Sequence, residues 1–65
     1  MRIQLNGEPF EFLGTQLDEL IAQLALSGKR LAVERNGEVI ARSEHANCWL
    51  AEGDCIELVQ AIGGG

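Results

Sequence analysis

Two Asn-Gly pairs, Asn6-Gly7 and Asn36-Gly37, each sit between short segments of alternating apolar and polar residues, and the stretch between them carries one helical period. Few folds accommodate that arrangement. Asn followed by Gly tolerates positive φ at both centres of a tight turn, the geometry that matches the twist of a two-stranded hairpin. Before the first pair, Ile3 and Leu5 alternate with Arg2, Gln4 and Asn6. After it, Phe10 and Phe12 alternate with Glu11, with Glu8 and Pro9 available to lengthen the loop. The second pair is flanked directly by Arg35 and Glu38, with Leu31 and Val33 before it and Val39 and Ile40 after. Both stretches read as hairpins.

Between them Leu17, Leu20, Ile21 and Leu24 recur at the spacing of one helix face, while Gln16, Asp18, Glu19 and Gln23 fill the other. Thr15 is positioned as the N-cap with Asp18 at the third helical position, and Ser27-Gly28-Lys29 offers a glycine stop followed by a cation. A helix of about three turns follows from that pattern. Beyond the second hairpin, "SEHANCWLAEGD" is polar and irregular, with Ser43 placed to cap a short turn and Glu52 to Asp54 forming a bend. The last stretch, "CIELVQAI", alternates again, Ile56 and Leu58 against Glu57 and Val59.

The order is strand, strand, helix, then three strands. One amphipathic helix between two hairpins can bury its stripe only across one face of a sheet. The usual solution for such a chain places the closing strand centrally and parallel to the first. The expected fold class is therefore α+β, a beta-grasp (ubiquitin-like) domain: a mixed sheet of about five strands packed on one helix. Residues 1–62 would form the domain, and 63–65 a flexible C-terminal glycine tail.

Sixty-five residues suffice for one small core. Ten acidic residues against five basic ones give a net charge of -5, which repels phosphate backbones and anionic lipid and favours a basic partner surface. No apolar run approaches membrane-spanning length, and "MRIQLNG" lacks the apolar block of a signal peptide, so a cytoplasmic protein is expected. Cys48 and Cys55 lie seven positions apart, which fits neither a CxxC redox pair nor a zinc half-site, and His45 has no companion at metal-ligand spacing. Structural thiols, a surface or partly packed histidine and no metal site are the expectations. A single histidine also leaves no nucleophile, base and orienting group to assemble, and so small a domain leaves little room for a cleft. No enzymatic activity is expected of the chain itself.

The ending, "LVQAIGGG", adds little to a fold, because glycine loses more backbone entropy on ordering than any other residue. Its freedom points to use outside the core. Leu5-Asn6-Gly7, Asn36-Gly37 with Arg42, Gly53-Asp54 and the final Gly64-Gly65, in that order and at this length, make the chain similar to the ThiS family, the ubiquitin-like sulfur carriers of thiamin thiazole biosynthesis. The resemblance implies that the Gly65 carboxylate is adenylated by a ThiF-like activating enzyme using ATP and Mg²⁺. Sulfur from a donor such as a cysteine desulfurase would then convert it to a thiocarboxylate, a 1-thioglycine, for a ThiG-like thiazole synthase. Gly63 and Gly64 would give the tail its access to partner active sites, and the sheet surface near the last strand would be the docking face. Three other readings stand beside this one. The small subunit of molybdopterin synthase is a related carrier, usually longer. A noncatalytic ubiquitin-like binding module would bind without its tail, and a thiol oxidoreductase would depend on Cys48 and Cys55.

Overall fold

The computed structural model describes residues 1–60. The boundary expected at residue 62 and the tail 63–65 lie outside them. The chain runs β1 (Arg2–Leu5), β2 (Glu8–Glu11), α1 (Leu17–Gln23), β3 (Leu31–Arg35), β4 (Glu38–Val39), a 3-10 helix (Arg42–Asn47) and β5 (Cys55–Gln60). The five strands form one mixed sheet in the order β2-β1-β5-β3-β4. β5 is central, parallel to β1 through Gln4 opposite Cys55 and antiparallel to β3 from Leu31 opposite Gln60 to Arg35 opposite Ile56. This is the beta-grasp arrangement expected as the usual solution for such a chain.

Both hairpins turn where expected. Asn6 and Gly7 have φ of 51° and 84°, Asn36 and Gly37 of 52° and 87°, so each pair supplies the two positive values a two-residue hairpin turn demands. Leu5 pairs directly with Glu8, which leaves Glu8 and Pro9 in β2 and not in a longer loop.

α1 begins and ends elsewhere than the spacing predicts. Gln16, not Thr15, is the N-cap residue, and Glu19, not Asp18, stands at the third helical position. The Glu19 carboxylate accepts hydrogen bonds from the Thr15 N–H (2.9 Å), the Gln16 N–H (2.8 Å) and the Thr15 hydroxyl (3.1 Å), satisfying amides that the first turn leaves open. These bonds hold the Glu19 carboxyl below the usual range, the Thr15 amide contributing most. Gly14 permits the approach, because a Cβ there would lie 2.9 Å from the Glu19 Cβ.

At the other end the helix stops after two turns, at Gln23, with Leu24 as C-cap. The Leu26 N–H donates to the Ile21 carbonyl and the Ala25 N–H to the Ala22 carbonyl, both at 2.9 Å, the paired bonds of a Schellman stop. Ala25 occupies the left-handed position at φ 60°, a place usually given to glycine. Gly28, expected to end the helix, instead serves the following turn at φ 81°.

The core lies between α1 and the inner sheet face. Ile3, Phe12, Leu17, Leu20, Val33 and Ile56 are each less than 2% exposed. Leu24 is only partly buried at its edge. The segment after β4, read as irregular, forms the 3-10 helix packed against α1, with Ala41 at its N-cap and no capping bond from Ser43. His45 is correspondingly buried, at 8% exposure, with its Nε2 3.4 Å from the Ile40 carbonyl oxygen.

Candidate functional site

β5 reaches its central position with help from side chains on both turns. Where β1 ends, the Asn6 Oδ1 accepts from the Leu58 N–H at 2.9 Å while the Asn6 N–H donates to the Ile56 carbonyl, also at 2.9 Å. Where β3 ends, Asn36 does the same, its Oδ1 accepting from the Cys55 N–H at 2.9 Å and its N–H donating to the Cys55 carbonyl at 2.8 Å. The strand that leads into residues 61–65 is therefore tied to the sheet at both flanks.

Asp54, at the entry to β5, anchors the same end. Its carboxylate accepts from Arg35 Nε (2.9 Å), Asn36 Nδ2 (3.0 Å) and the Ala51 N–H (2.8 Å). Burial pushes the Asp54 carboxyl up, but the Asn36 amide, the Ala51 N–H and the Arg35 guanidinium together outweigh it and hold the group below its ordinary value.

Alternation along β5 turns Ile56 and Leu58 inward and leaves Cys55, Glu57 and Val59 exposed. The helix covers the inner face of the sheet, and no described element covers the other. On that open face Val59 stands opposite Ala32, Glu57 opposite Glu34, and Glu34 opposite Val39. Val39 and Val59 are 76% and 63% exposed, large values for aliphatic side chains on a sheet. This is the surface that the sequence reading places at the last strand.

The two thiols are not brought together as a pair. Cys48 is buried in the core, Cys55 is exposed at the start of β5, and both are free. Among the described residues no group of three or more His, Cys, Asp or Glu side chains could hold a metal ion, and no helix is long and apolar enough to cross a membrane. A groove of about 450 Å³ does lie between α1, the 26–30 loop, the start of β3 and the 3-10 helix, larger than the length of the chain leads one to expect. Asp18 and Glu19 line it together with Lys29 and Arg42. Gly63, Gly64 and Gly65 lie outside the described residues.

Sequence reasoning missed the Asp54 cluster and the unpaired Glu34–Glu57 step. The Glu34–Glu57 step is set by the β3–β5 register, and the Asp54 bonds to Arg35 and Asn36 by where β5 enters beside the second turn, neither of which local spacing contains.

Comparison with known proteins follows the same lines. The family model that matches the chain, over residues 3–65, is that of the ThiS family. The sulfur carrier protein ThiS of Bacillus subtilis is 36% identical over 97% of this chain and 98% of its own length. A thiazole synthase of Magnetococcus marinus is 44% identical over all of this chain, which spans only 20% of that longer protein. The crystal structure of a thiamine biosynthesis protein (ThiS) from Geobacter metallireducens superposes with a TM-score of 0.83 at 30% identity, covering both chains completely. Fold and sequence agree, and the chain belongs to the ThiS family.

Proposed function

We propose that the chain carries sulfur on the carboxyl group of Gly65 for assembly of the thiazole moiety of thiamin. The single observation behind this reading is that the family match runs through residue 65 and so takes in all three glycines that follow the central strand. An α-carboxylate is ionised at neutral pH and resists nucleophiles until one oxygen becomes a leaving group. Its oxygen attacks the α-phosphorus of ATP on a ThiF-like activating enzyme, with Mg²⁺ held by that enzyme, and pyrophosphate departs. A sulfide equivalent derived from cysteine, as from a cysteine desulfurase, then attacks the carbonyl carbon and AMP leaves with the oxygen. The thiocarboxylate goes to a ThiG-like thiazole synthase, a partner favoured by the thiazole synthase relatives that contain a stretch like this chain. All of this takes place in the cytoplasm.

Gly63 and Gly64 give the terminus reach, since glycine has no side chain to clash in a narrow channel and accepts dihedrals that other residues reject. Position is critical, because a displacement of ~1 Å from attack geometry costs about 100-fold in rate and one extended residue spans roughly 3.3 Å. Deleting Gly65, or appending one alanine after it, is expected to abolish ATP–pyrophosphate exchange by the activating enzyme while leaving the thermal melt unchanged. Exchange at the parent rate in both variants would overturn the reading in favour of a binding module.

A further inference from the structure

The chain has five basic side chains, and the fold engages two of them. Arg2 pairs with Glu11, and Arg35 with Asp54. Lys29, Arg30 and Arg42 form no ion pair among the described residues, and residues 61–65 bring no acidic side chain. Lys29 and Arg42 come from separate segments, yet both line the groove beside α1. Topology brings them to one end of the domain. Lys29 leads into Leu31, which stands opposite Gln60 in the β3–β5 register. β4 runs antiparallel to β3, with the Ile40 N–H bonded to the Val33 carbonyl at 2.9 Å, so the chain returns toward Leu31 before the 3-10 helix opens at Arg42. Gln60 ends β5, and both cations therefore lie at the end of the sheet from which the chain continues into residues 61–65. Between them the groove is apolar, with Ile21 buried and Leu26 and Leu31 half-buried. Of the two acids that line it, Glu19 has its carboxylate in the bonds with Thr15 and Gln16. Asp18 belongs to the first turn of α1, whereas Lys29 follows its last.

We infer that this groove docks the protein that delivers sulfur to Gly65, through an acidic segment of that protein with an apolar side chain set on Leu26 and Leu31; the inference rests on the carrier reading above. Charge selects the occupant. A carboxylate-bearing segment meets two unpaired cations here, while the net charge of -5 repels it elsewhere. The order of events selects the partner. An acyl-adenylate is a mixed anhydride, and an enclosed site keeps water from it. Sulfur therefore has to reach a carrier still seated on its activating enzyme, over a surface which that enzyme leaves free. The groove lies on the helix side of the sheet, away from the open face of β5, and at the end where the tail departs.

The test uses the full chain with Lys29→Met, Arg42→Gln and the double variant, and Arg30→Gln as a control that removes a neighbouring charge outside the groove lining. All four positions of charge are exposed, and an unchanged thermal midpoint is expected throughout. Two reactions are compared: ATP–pyrophosphate exchange with the activating enzyme, and thiocarboxylate formation, read by intact mass, with cysteine desulfurase, cysteine and a thiol reductant added. The double variant is expected to keep the parent KM in exchange. The desulfurase concentration that gives half-maximal thiocarboxylate formation is expected to rise about tenfold at low salt, with a flattened salt dependence, and to stay at the parent value for Arg30→Gln. Free sulfide in place of the desulfurase bypasses docking, and the double variant is expected to load from it at the parent rate. Parent dependence on desulfurase in the double variant, a raised KM in exchange, or slow loading from free sulfide would each overturn the docking inference and leave the carrier reading intact. A parent chain that supports no exchange would overturn both.

Discussion

Asp54→Ala removes the acceptor on which three donors from separate parts of the chain converge. The carboxylate is about nine-tenths buried, and the donors are Arg35 in β3, Asn36 in the second turn and the Ala51 amide in the bend before β5. Arg35 is one-third exposed and can regain water, so its loss is modest. Asn36 and Ala51 are exposed residues whose freed donors regain water as well, so each lost bond counts at its net value of about 0.5–1.5 kcal/mol. A total of about 2–4 kcal/mol is expected. For a chain of this length the whole stability is about 3–10 kcal/mol, so the variant stands near its unfolding threshold. Urea denaturation followed by circular dichroism at neutral pH measures the loss. The pH dependence gives a second check. The folded-state pKa of Asp54 is depressed, so the folded chain binds fewer protons than the unfolded one. Its contribution is complete above the unfolded value near ~3.9 and is lost as pH falls through the folded one. The parent should therefore lose stability below about pH 4 more steeply than Asp54→Ala. A loss under about 1 kcal/mol, with acid limbs that run parallel, would refute the placement of this cluster as the anchor of β5.

Leu20→Ala empties a fully buried site in α1 and should cost about 2–5 kcal/mol, whereas Leu24→Ala at the core's edge should cost distinctly less, as chemical denaturation of the two variants would reveal. Ala25→Gly should stabilise by about 0.5–1 kcal/mol, read as a higher urea midpoint at unchanged slope, because relief of a left-handed alanine exceeds the entropy glycine adds to the unfolded chain.

What was legible in the sequence is what is decided within a few residues. Asn6-Gly7 and Asn36-Gly37 turn where they read as turns, since only such pairs take two positive φ values cheaply. The apolar alternation of β1, β3 and β5 reflects one buried sheet face, and with a single helix to cover it the strand order had little freedom. The helix ends were not legible for a specific reason. Thr15 and Gly28 are better formers of caps and stops than Gln16 and Ala25, yet the pairing of Gln16 with Trp49 and the Schellman bonds at Leu26 override those local preferences. His45 read as surface or partly packed, and its burial was not legible, because nothing in its neighbours announces that the 3-10 helix packs on α1. The Asp54 cluster and the Glu34–Glu57 step depend on pairing between residues roughly twenty positions apart, which local spacing does not encode.

The two asparagines connect the legible part to the functional part. These hairpin turns need only that both central residues accept positive φ, and Gly-Gly would satisfy that. Asn6 and Asn36 do more, because each places a side-chain oxygen against an amide of β5 while its own N–H donates to a β5 carbonyl. They stand in for strand residues where β1 and β3 have already turned away. The same two residues that close the hairpins thus complete the ladder of the central strand, one on each flank. If, as proposed, the last residues are drawn into partner enzymes, that pull passes to the strand before them. In this chain that strand is held by β3 along its length, by β1 at its start, and by an asparagine on either side.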